Sequence, residues 1–409
     1  MFDQQMQEDS SSTPLEHLLT EPVREAIDRS AYGSWQNIAT EEAVSLSFGF
    51  PDPDLFPDAE LSESVDAVLE EEGEKALQYG GGEYSETLET FLTEQESTRG
   101  IDFERDELLV TSGATHAIDS TCRAFLEPGD TILVEEPTFM GVLGVFWNFG
   151  VDVIGVPVDD DGLDVSALET VLETRRARGQ DSPKLLYTIP DFHNPTGTTL
   201  SRGRREKILE LATTYDFAVL EDGAYSDLWF DEETPPPLAA LDETGRVIRI
   251  GSFAKTVAPG IRLGWLTAPA RVQKAVRTVA AGGTNTFTRS VVGRYCDVGY
   301  FDTLVTTLRD VYAEKRDHML DELEIHMAED VTWTEPDGGF FIWVELPEHI
   351  DTAEMLEPAA NAGVTYLPGS LFYPGDGGTN CLRLSFTYVK ENDITAGIEV
   401  LGETIETVR

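Results

Sequence analysis

The sequence predicts an α/β fold in which helices cover both faces of a largely parallel sheet. Seven short apolar segments recur between residues 108 and 266, and stretches with helical spacing separate several of them. Strands that alternate with helices are typical of parallel sheets, which are buried on both faces. The 409 residues exceed the usual size of one domain, and the pattern changes after about residue 290. We therefore expect a large α/β domain followed by a smaller α+β domain.

The seven predicted strands are short, rich in Leu, Ile and Val, and followed by turn or helix signals. They cover residues 108–111, 131–134, 153–156, 185–188, 218–220, 247–250 and 263–266. Apolar residues at helical spacing predict helices around them. These helices cover residues 61–72, 85–98, 115–125, 138–146 and 165–178.

Three parts of the chain follow from this pattern. Residues 1–57 are predicted to be an N-terminal arm and linker, with a disordered polar start up to residue 14 and a short helix near 22–31. Residues 58–290 are the predicted large domain, and residues 291–409 the small C-terminal domain. The predicted elements of the small domain are helices over 302–327 and 391–407 and strands over 339–344 and 382–386.

The composition restricts the classes of function. A net charge of −47 repels nucleic acid and anionic membranes, and acidic residues spread along the chain are typical of proteins adapted to high salt. No apolar run reaches the ~18 residues of a membrane span, and the start resembles no secretion signal. The three cysteines and six histidines show no zinc spacing. We expect a cytoplasmic protein that uses no metal, nucleic acid or membrane.

One stretch carries a lysine in a distinctive setting. Lys255 lies three residues after Ser252 and seven before Arg262, in a chain with only seven lysines against 22 arginines. A lysine amine can form a Schiff base with a carbonyl compound, while a serine and an arginine can bind a phosphate. A turn with incidental surface charges is the alternative, which this stretch alone leaves open.

Further polar residues follow other predicted strands, where ligands bind in sheets of this type. The turn 113–115 opens a helix whose N–H groups can bind a phosphate, although an ordinary helix cap has the same pattern. Asn194 lies in a rigid loop after strand 185–188. Asp222 and Tyr225 follow strand 218–220, and Phe139 follows strand 131–134.

Together these residues suit pyridoxal 5'-phosphate. Its ring nitrogen needs a carboxylate that keeps it protonated, for which Asp222 is the candidate. Its ring oxygen needs hydrogen-bond donors, which Tyr225 and Asn194 provide, and Phe139 can cover the ring face. The candidates for its phosphate are Gly113, Ala114, Thr115, Ser252 and Arg262.

At this point the sequence resembles the class I/II aminotransferases of fold type I. It is most similar to the branch that contains 2-aminoadipate and kynurenine aminotransferases and the aminotransferase-like domain of MocR regulators. The resemblance covers about residues 22–405 and implies a fold type I transferase with a mostly parallel seven-stranded sheet. The motifs that carry it are Tyr-Thr-Ile-Pro-x-x-x-Asn-Pro-Thr-Gly at 187–197, Glu-Asp-x-x-Tyr at 221–225, Ser-Phe-x-Lys-x-x-x-Pro-Gly-x-Arg-x-Gly at 252–264 and Asn-x-x-Arg-Leu-Ser-Phe at 380–386.

The resemblance implies a role for each matching residue. Lys255 would form the Schiff base and then carry a proton between the substrate and the cofactor, with Asp222 and Tyr225 as the other catalytic residues. Arg383, with Asn194 beside it, would bind the substrate α-carboxylate. Two further roles are implied outside this cluster. Tyr79 would reach the cofactor phosphate of a neighbouring subunit, which makes the active unit a homodimer, and Arg24 would contact the substrate side chain.

Several positions depart from the family pattern. Phe139 stands where many relatives have tyrosine, and the turn 113–115 reads Gly-Ala-Thr where Gly-Ser-Gln is common. Phe48 occupies a position that is often glycine, which we expect to narrow the substrate pocket. None of these changes removes a catalytic group.

The activity implied is transfer of an amino group from a 2-amino acid to a 2-oxo acid. A lyase reaction at Cα or Cβ stays open, because the fold does not fix the reaction. A ligand-sensing domain like that of MocR regulators is a third possibility. It is disfavoured by the net charge and by the absence of a basic recognition helix before the shared region.

Overall fold

The computed structural model describes residues 15–29 and 43–409. The segment up to residue 14, expected to be disordered, lies outside the described residues, as do the last residues of the helix expected near 22–31. The first elements are helix α1 (Glu21–Arg29) and the two-residue strand β1 (Val44–Ser45).

The main sheet contains all seven predicted strands. Five of them run parallel in the centre, and the strand Gly264–Thr267 pairs antiparallel with both Val247–Ser252 and Leu108–Thr111. An eighth strand, the short Gly162–Leu163, was not predicted, and it pairs antiparallel with Asp152–Asp159 at the edge. In the order β2-β9-β8-β7-β6-β3-β4-β5, the strands are β2 (Leu108–Thr111), β3 (Thr131–Glu136), β4 (Asp152–Asp159), β5 (Gly162–Leu163), β6 (Leu185–Thr188), β7 (Ala218–Asp222), β8 (Val247–Ser252) and β9 (Gly264–Thr267).

Helices pack around this sheet, and all five that were predicted are present. The helix predicted over 138–146 begins only at Met140, because the backbone of Phe139 is not helical, with ψ +113°. The helices are α2 (Asp58–Ala76), α3 (Glu83–Thr98), α4 (Ala114–Phe125), α5 (Met140–Trp147), α6 (Val165–Ala177), α7 (Arg202–Tyr215), α8 (Leu238–Leu241), α9 (Ala270–Val279), α10 (Thr286–Asp297) and α11 (Tyr300–His326).

A second, antiparallel sheet follows α11. It has four strands in the order Thr332–Trp333, Phe341–Glu345, Cys381–Ser385 and Leu367–Pro368, and β1 forms a separate two-stranded parallel sheet with Val364–Thr365. The N-terminal segment after β1 is therefore joined to the C-terminal part of the chain. The elements are β10 (Thr332–Trp333), β11 (Phe341–Glu345), α12 (Thr352–Ala362), β12 (Val364–Thr365), β13 (Leu367–Pro368), β14 (Cys381–Ser385) and α13 (Glu391–Val408).

Within residues 15–29 and 43–409, no helix combines the length and the apolar composition that crossing a bilayer requires. The apolar side chains instead form the cores between the sheets and their helices.

A buried ionic network lies beneath the carboxyl ends of the central strands. The Arg249 guanidinium on β8 donates to Glu96 at 2.9 Å and lies 3.1 Å from Glu221 on β7, and all three side chains are fully buried. Trp265 donates a further hydrogen bond to Glu96 at 3.1 Å. Gly223 leaves room for the guanidinium, since a Cβ there would lie 2.9 Å from it. The network therefore fixes the backbone on both sides of the last residue of β7.

Replacing Arg249 by methionine should lower the free energy of unfolding by about 3–5 kcal/mol, because Glu221 would stay buried without its cation and Glu96 would keep only Arg99. Urea unfolding followed by circular dichroism measures this change. The matched control is Arg246→Met, whose partner Asp216 is exposed and whose loss should cost less than about 1 kcal/mol. Equal effects of the two substitutions would contradict the role given to the network.

Candidate active site

Most of the predicted site residues gather at one edge of the main sheet. Asp222 and Ser252 end the parallel neighbours β7 and β8, so their side chains lie at the same edge. Strand β9 runs the opposite way and begins at Gly264, which pairs with both Ser252 and Thr111. This register brings Arg262, two residues before β9, to the turn that follows β2.

Lys255 extends into this edge without a carboxylate partner. Its Nζ donates to the Gly49 carbonyl at 2.9 Å and lies about 5.5 Å from the ring centres of Tyr225 and Phe340. Among the described residues, no Asp or Glu lies within salt-bridge distance of this amine. Burial lowers the pKa of Lys255 to about 8, and the nearby positive charge of Arg383 acts in the same direction. The neutral amine is therefore accessible close to neutral pH.

Asp222 is a buried carboxylate held by two hydrogen bonds. The Tyr187 hydroxyl donates to Oδ2 at 2.8 Å, and the Ala224 N–H donates to Oδ1 at 3.1 Å. Burial raises the pKa of Asp222, while these two donors and the charge of Lys255 oppose that rise. Across the described ranges, no Lys, Arg or His lies within 4 Å of this carboxylate. The site thus holds an anion that lacks a direct cationic partner.

Arg383 on β14 reaches the same region from the second sheet. Its Nη1 donates to Asn194 Oδ1 and its Nη2 donates to the Ser47 carbonyl, both at 2.8 Å. The guanidinium carbon lies 4.0 Å from the ring centre of Phe341 and 5.0 Å from that of Phe372. Its Nε is buried with no hydrogen-bond partner in the described part of the chain. Burial lowers the pKa of Arg383 to about 9, so a bound anion would relieve an unfavourable state.

Asn194 and Tyr225 connect Arg383 with the strand ends. The Asn194 side chain accepts from Arg383 and donates to the Tyr225 hydroxyl. Burial raises the pKa of Tyr225, which keeps its hydroxyl protonated as a hydrogen-bond donor. These two residues form the donor pair that the sequence predicts beside Asp222.

The turn after β2 forms a concave backbone surface against Arg262. Gly113 has φ +89°, and a Cβ there would lie 2.9 Å from the Arg262 guanidinium, so both conformation and space require glycine. Helix α4 begins at the next residue, Ala114, and the first N–H groups of a helix lack partners within it. Thr115 is exposed in the first turn of α4, and the Ser252 hydroxyl accepts from the Ala254 N–H at 3.1 Å. This arrangement suits a phosphate.

Three predicted residues lie apart from this cluster of contacts. Phe139 precedes α5 and is half-buried, Tyr79 in the turn between α2 and α3 is 98% exposed, and Arg24 is exposed on α1. Within the described residues, neither the Tyr79 hydroxyl nor the Arg24 guanidinium has a hydrogen bond to the other candidates. Their predicted roles stay predictions.

Sequence reasoning placed Phe48 at the substrate pocket, but it missed Tyr187 and the backbone of Ser47 and Gly49 as parts of the site. Phe48 and Phe50 stack at 5.1 Å between ring centres, and Tyr388 meets both rings edge-on at 5.7 and 6.0 Å. Gly49 between them accepts the hydrogen bond from Lys255. The glycine is required, since a Cβ would lie 2.7 Å from the ring of Phe341. Alternating Phe-Gly-Phe before a proline was the available signal, but only the fold shows what it faces.

A large cleft of about 1050 Å³ lies elsewhere, lined by α3, α11 and the loop 226–237. Both cations in its lining are already engaged. Arg99 pairs with Glu96 and Asp227, and Arg309 stacks on Trp229 at 3.8 Å. This cleft holds none of the predicted site residues.

The chain matches known proteins over most of its length. The family described as "Aminotransferase class I and II" matches residues 42–401. Aromatic-amino-acid aminotransferase 1 of Thermococcus litoralis is 39% identical, over 90% of this chain and 89% of that protein.

Two solved structures have the same fold. Kynurenine aminotransferase of Pyrococcus horikoshii, solved with PMP, is 37% identical, with a TM-score of 0.89 over 96% of this chain and 98% of that one. LysN, the alpha-aminoadipate aminotransferase of Thermus thermophilus, was solved with N-(5'-phosphopyridoxyl)-L-leucine. It is 32% identical, with a TM-score of 0.84 over 94% of this chain and 97% of that one. With a family match that spans most of its residues, this chain is a member of the class I and II aminotransferases.

Proposed function

We propose that the protein moves an amino group from a 2-amino acid to a 2-oxo acid with pyridoxal 5'-phosphate as its cofactor. One observation carries the proposal: a lysine of lowered pKa and a buried carboxylate without a cation lie at one sheet edge, beside a buried arginine. Each is the group that this chemistry needs, and none has its charge neutralised by a salt bridge in the described residues.

The residues present fit the cofactor. Asp222 offers a carboxylate to the ring nitrogen, and Tyr225 with Asn194 offers donors to the ring oxygen. The turn at Gly113 and the start of α4 face Arg262, which gives N–H groups and a cation for the phosphate. Two relatives of this chain were solved with PMP and with a phosphopyridoxyl-leucine. The remaining residues assigned to the cofactor are Ala114, Thr115, Phe139 and Ser252.

Each residue then has a defined task in the reaction. When bound, the cofactor supplies an electron sink for negative charge at the substrate Cα. Lys255 takes up and returns a proton at Nζ, for which a pKa of about 8 is suited near neutral pH. Asp222 would place a negative charge beside the ring nitrogen. Tyr225 would donate a hydrogen bond from its hydroxyl to the ring oxygen.

Arg383 has the donors to hold the substrate α-carboxylate. A guanidinium carries five N–H groups, and in this structure two of them bind Asn194 and the Ser47 carbonyl. The others, including the unpartnered Nε, remain for a carboxylate. Phe341 and Phe372 keep the guanidinium plane in place.

We further propose that aromatic and large apolar amino acids are the preferred donors. Phe48, Phe50 and Tyr388 form an aromatic cluster at the mouth of the site, and Phe50 and Tyr388 are 48% and 38% exposed. Exposed aromatic side chains beside a site attract apolar and aromatic ligand groups. The similarity to an aromatic-amino-acid aminotransferase supports this donor class.

We also propose that the active unit is a homodimer. Among the described residues, Tyr79 is the most exposed large hydrophobic side chain, and it lies in a glycine-containing turn next to the positive-φ Gly80 and Gly81. A second copy of the chain that covers this turn would bury an aromatic ring and bring its hydroxyl to the partner's phosphate turn.

The donor panel tests the reaction and the donor class. Holoenzyme is mixed with phenylalanine, tyrosine, alanine or aspartate, and conversion of the bound cofactor to its amine form is followed by absorbance. Aromatic donors should react with kcat/KM values about ten- to a hundredfold above alanine, a discrimination within reach of one apolar pocket. Lys255→Ala should retain less than about a ten-thousandth of the activity. Elimination products without the amine form of the cofactor would replace transamination with a lyase reaction.

Competitive acetylation of the protein without cofactor tests the protonation of Lys255. Only a neutral amine reacts, so the reactivity of Lys255 should rise with pH, reach half its maximum near pH 8 and then level off. Mass spectrometry follows each lysine separately, with Lys274, exposed on α9, as the internal reference. A midpoint above pH 10, the region of an ordinary lysine, would contradict the effect of burial.

Hybrid dimers test the role of Tyr79. A chain with Lys255→Ala is co-expressed with a chain that carries Tyr79→Ala. If sites are shared, each hybrid dimer has one site with both residues intact, and activity returns well above the mean of the two parents. Activity that equals this mean, or a mass of a single 45.1 kDa chain in light scattering, would overturn the shared site.

A further inference from the structure

Tyr187 lies beneath the site, and the proposed mechanism assigns it no role. Its side chain is fully buried on β6, and its hydroxyl donates to Asp222 Oδ2 at 2.8 Å. Tyr187 pairs across the sheet with Leu220, two residues before Asp222, so Tyr187 and Asp222 project from the same face. The contact is therefore a consequence of the strand register.

We propose that Tyr187 is a positioning residue that orients the Asp222 carboxylate and keeps it ionised against the ring nitrogen of the cofactor. This inference rests on the proposed function, since it assigns Asp222 to that nitrogen. Tyr187 acts through Asp222 and needs no contact of its own with the substrate.

The geometry restrains the carboxylate from two directions. The Ala224 N–H binds Oδ1, and the phenol binds Oδ2, so rotation of the carboxyl group would break one of the two hydrogen bonds. Each oxygen has a second lone pair, which leaves Asp222 able to accept from a ring N–H as well. The phenol is itself held in place, since its ring meets Phe146 edge-on at 5.6 Å between centres.

A hydrogen-bond donor such as the Tyr187 hydroxyl lowers the free-energy cost of keeping the buried Asp222 ionised. A buried carboxylate without a close cation tends to take up a proton, and a hydrogen bond to its charged form opposes that tendency. Burial and the neighbouring carboxylate raise the pKa of Tyr187 well above its usual range, so the phenol stays a donor throughout the working pH range. The other charged or titratable groups that act on this pair are Lys255, Arg249, Glu135 and Tyr225.

Loss of the Tyr187 hydroxyl should shift the proton between Asp222 and the ring nitrogen toward the carboxylate. In Tyr187→Phe the ring still packs against Phe146, but Asp222 keeps only the Ala224 N–H. The carboxylate then becomes more basic and draws the shared proton away from the ring nitrogen. A substitution that merely loosens the core would not change where this proton resides.

The test uses holoenzyme loaded with pyridoxal phosphate that carries ¹⁵N in its ring. The ¹⁵N chemical shift reports protonation of that nitrogen, and equilibrium dialysis gives the Kd of the cofactor. For Tyr187→Phe we expect a shift toward the unprotonated value and a Kd raised about tenfold, as for loss of a hydrogen bond to a charged group. The control is Tyr366→Phe, which removes a buried hydroxyl that donates to the Thr352 carbonyl at 2.6 Å away from the site. It should leave both quantities unchanged.

Two further variants complete the test. In an Asp222→Ala background, Tyr187→Phe should add no effect on Kd, because the acceptor of the phenol hydrogen bond is already gone. Where Tyr187→Phe fails to fold, 3-fluorotyrosine at position 187 keeps the shape and makes the phenol a stronger donor, and the ¹⁵N shift should then move toward the protonated value. An unchanged ¹⁵N shift and Kd in these variants would overturn the inference. Failure of the unmodified chain to bind pyridoxal phosphate would instead overturn the proposed function.

Discussion

The burial of three charged side chains without an opposing salt bridge is the constraint on which the rest of the site depends. Asp222, Lys255 and Arg383 are each enclosed by protein, and in the described residues none pairs with an opposite charge within 4 Å. Burying an isolated charge is costly. The network around Arg249, a few residues away, shows how this chain neutralises a charge that serves only the fold. The contrast supports the proposal that the three open charges are kept for a ligand.

The segment after β1 joins the two sheets at the site. The carbonyls of Ser47 and Gly49 accept hydrogen bonds from Arg383 and Lys255, which come from different sheets. Pairing of β1 with β12 fixes the position of this segment relative to the C-terminal part of the chain. The backbone thereby supplies acceptors for both cations without adding a carboxylate, which would neutralise them. An aspartate in the same place would raise the pKa of Lys255 and compete with a substrate carboxylate for Arg383.

The sheet and the positions of several site residues could be predicted from the sequence, because parallel strands bring their carboxyl ends to one edge. Asp222 and Lys255 follow apolar strands, and this local fact was enough to place both at the site. Tyr187 could not be recognised in this way, since its role depends on the register between β6 and β7, and in the sequence it is one more large residue of a buried strand. Gly49 was missed because its partner lies 206 residues further along the chain.

The charges of Arg383 and Lys255 are also coupled, so binding of an anion to Arg383 changes the pKa of Lys255. The charge of Arg383 is one of the causes that lower the pKa of Lys255. A carboxylate bound to Arg383 neutralises part of that charge, so the pKa of Lys255 must rise when an amino acid binds. The lysine thus holds a proton less firmly before the substrate arrives and more firmly afterwards. Under the proposed mechanism, a substrate carboxylate on Arg383 would therefore help the free amine of Lys255 to accept a proton, and departure of the product would lower the pKa of that amine again.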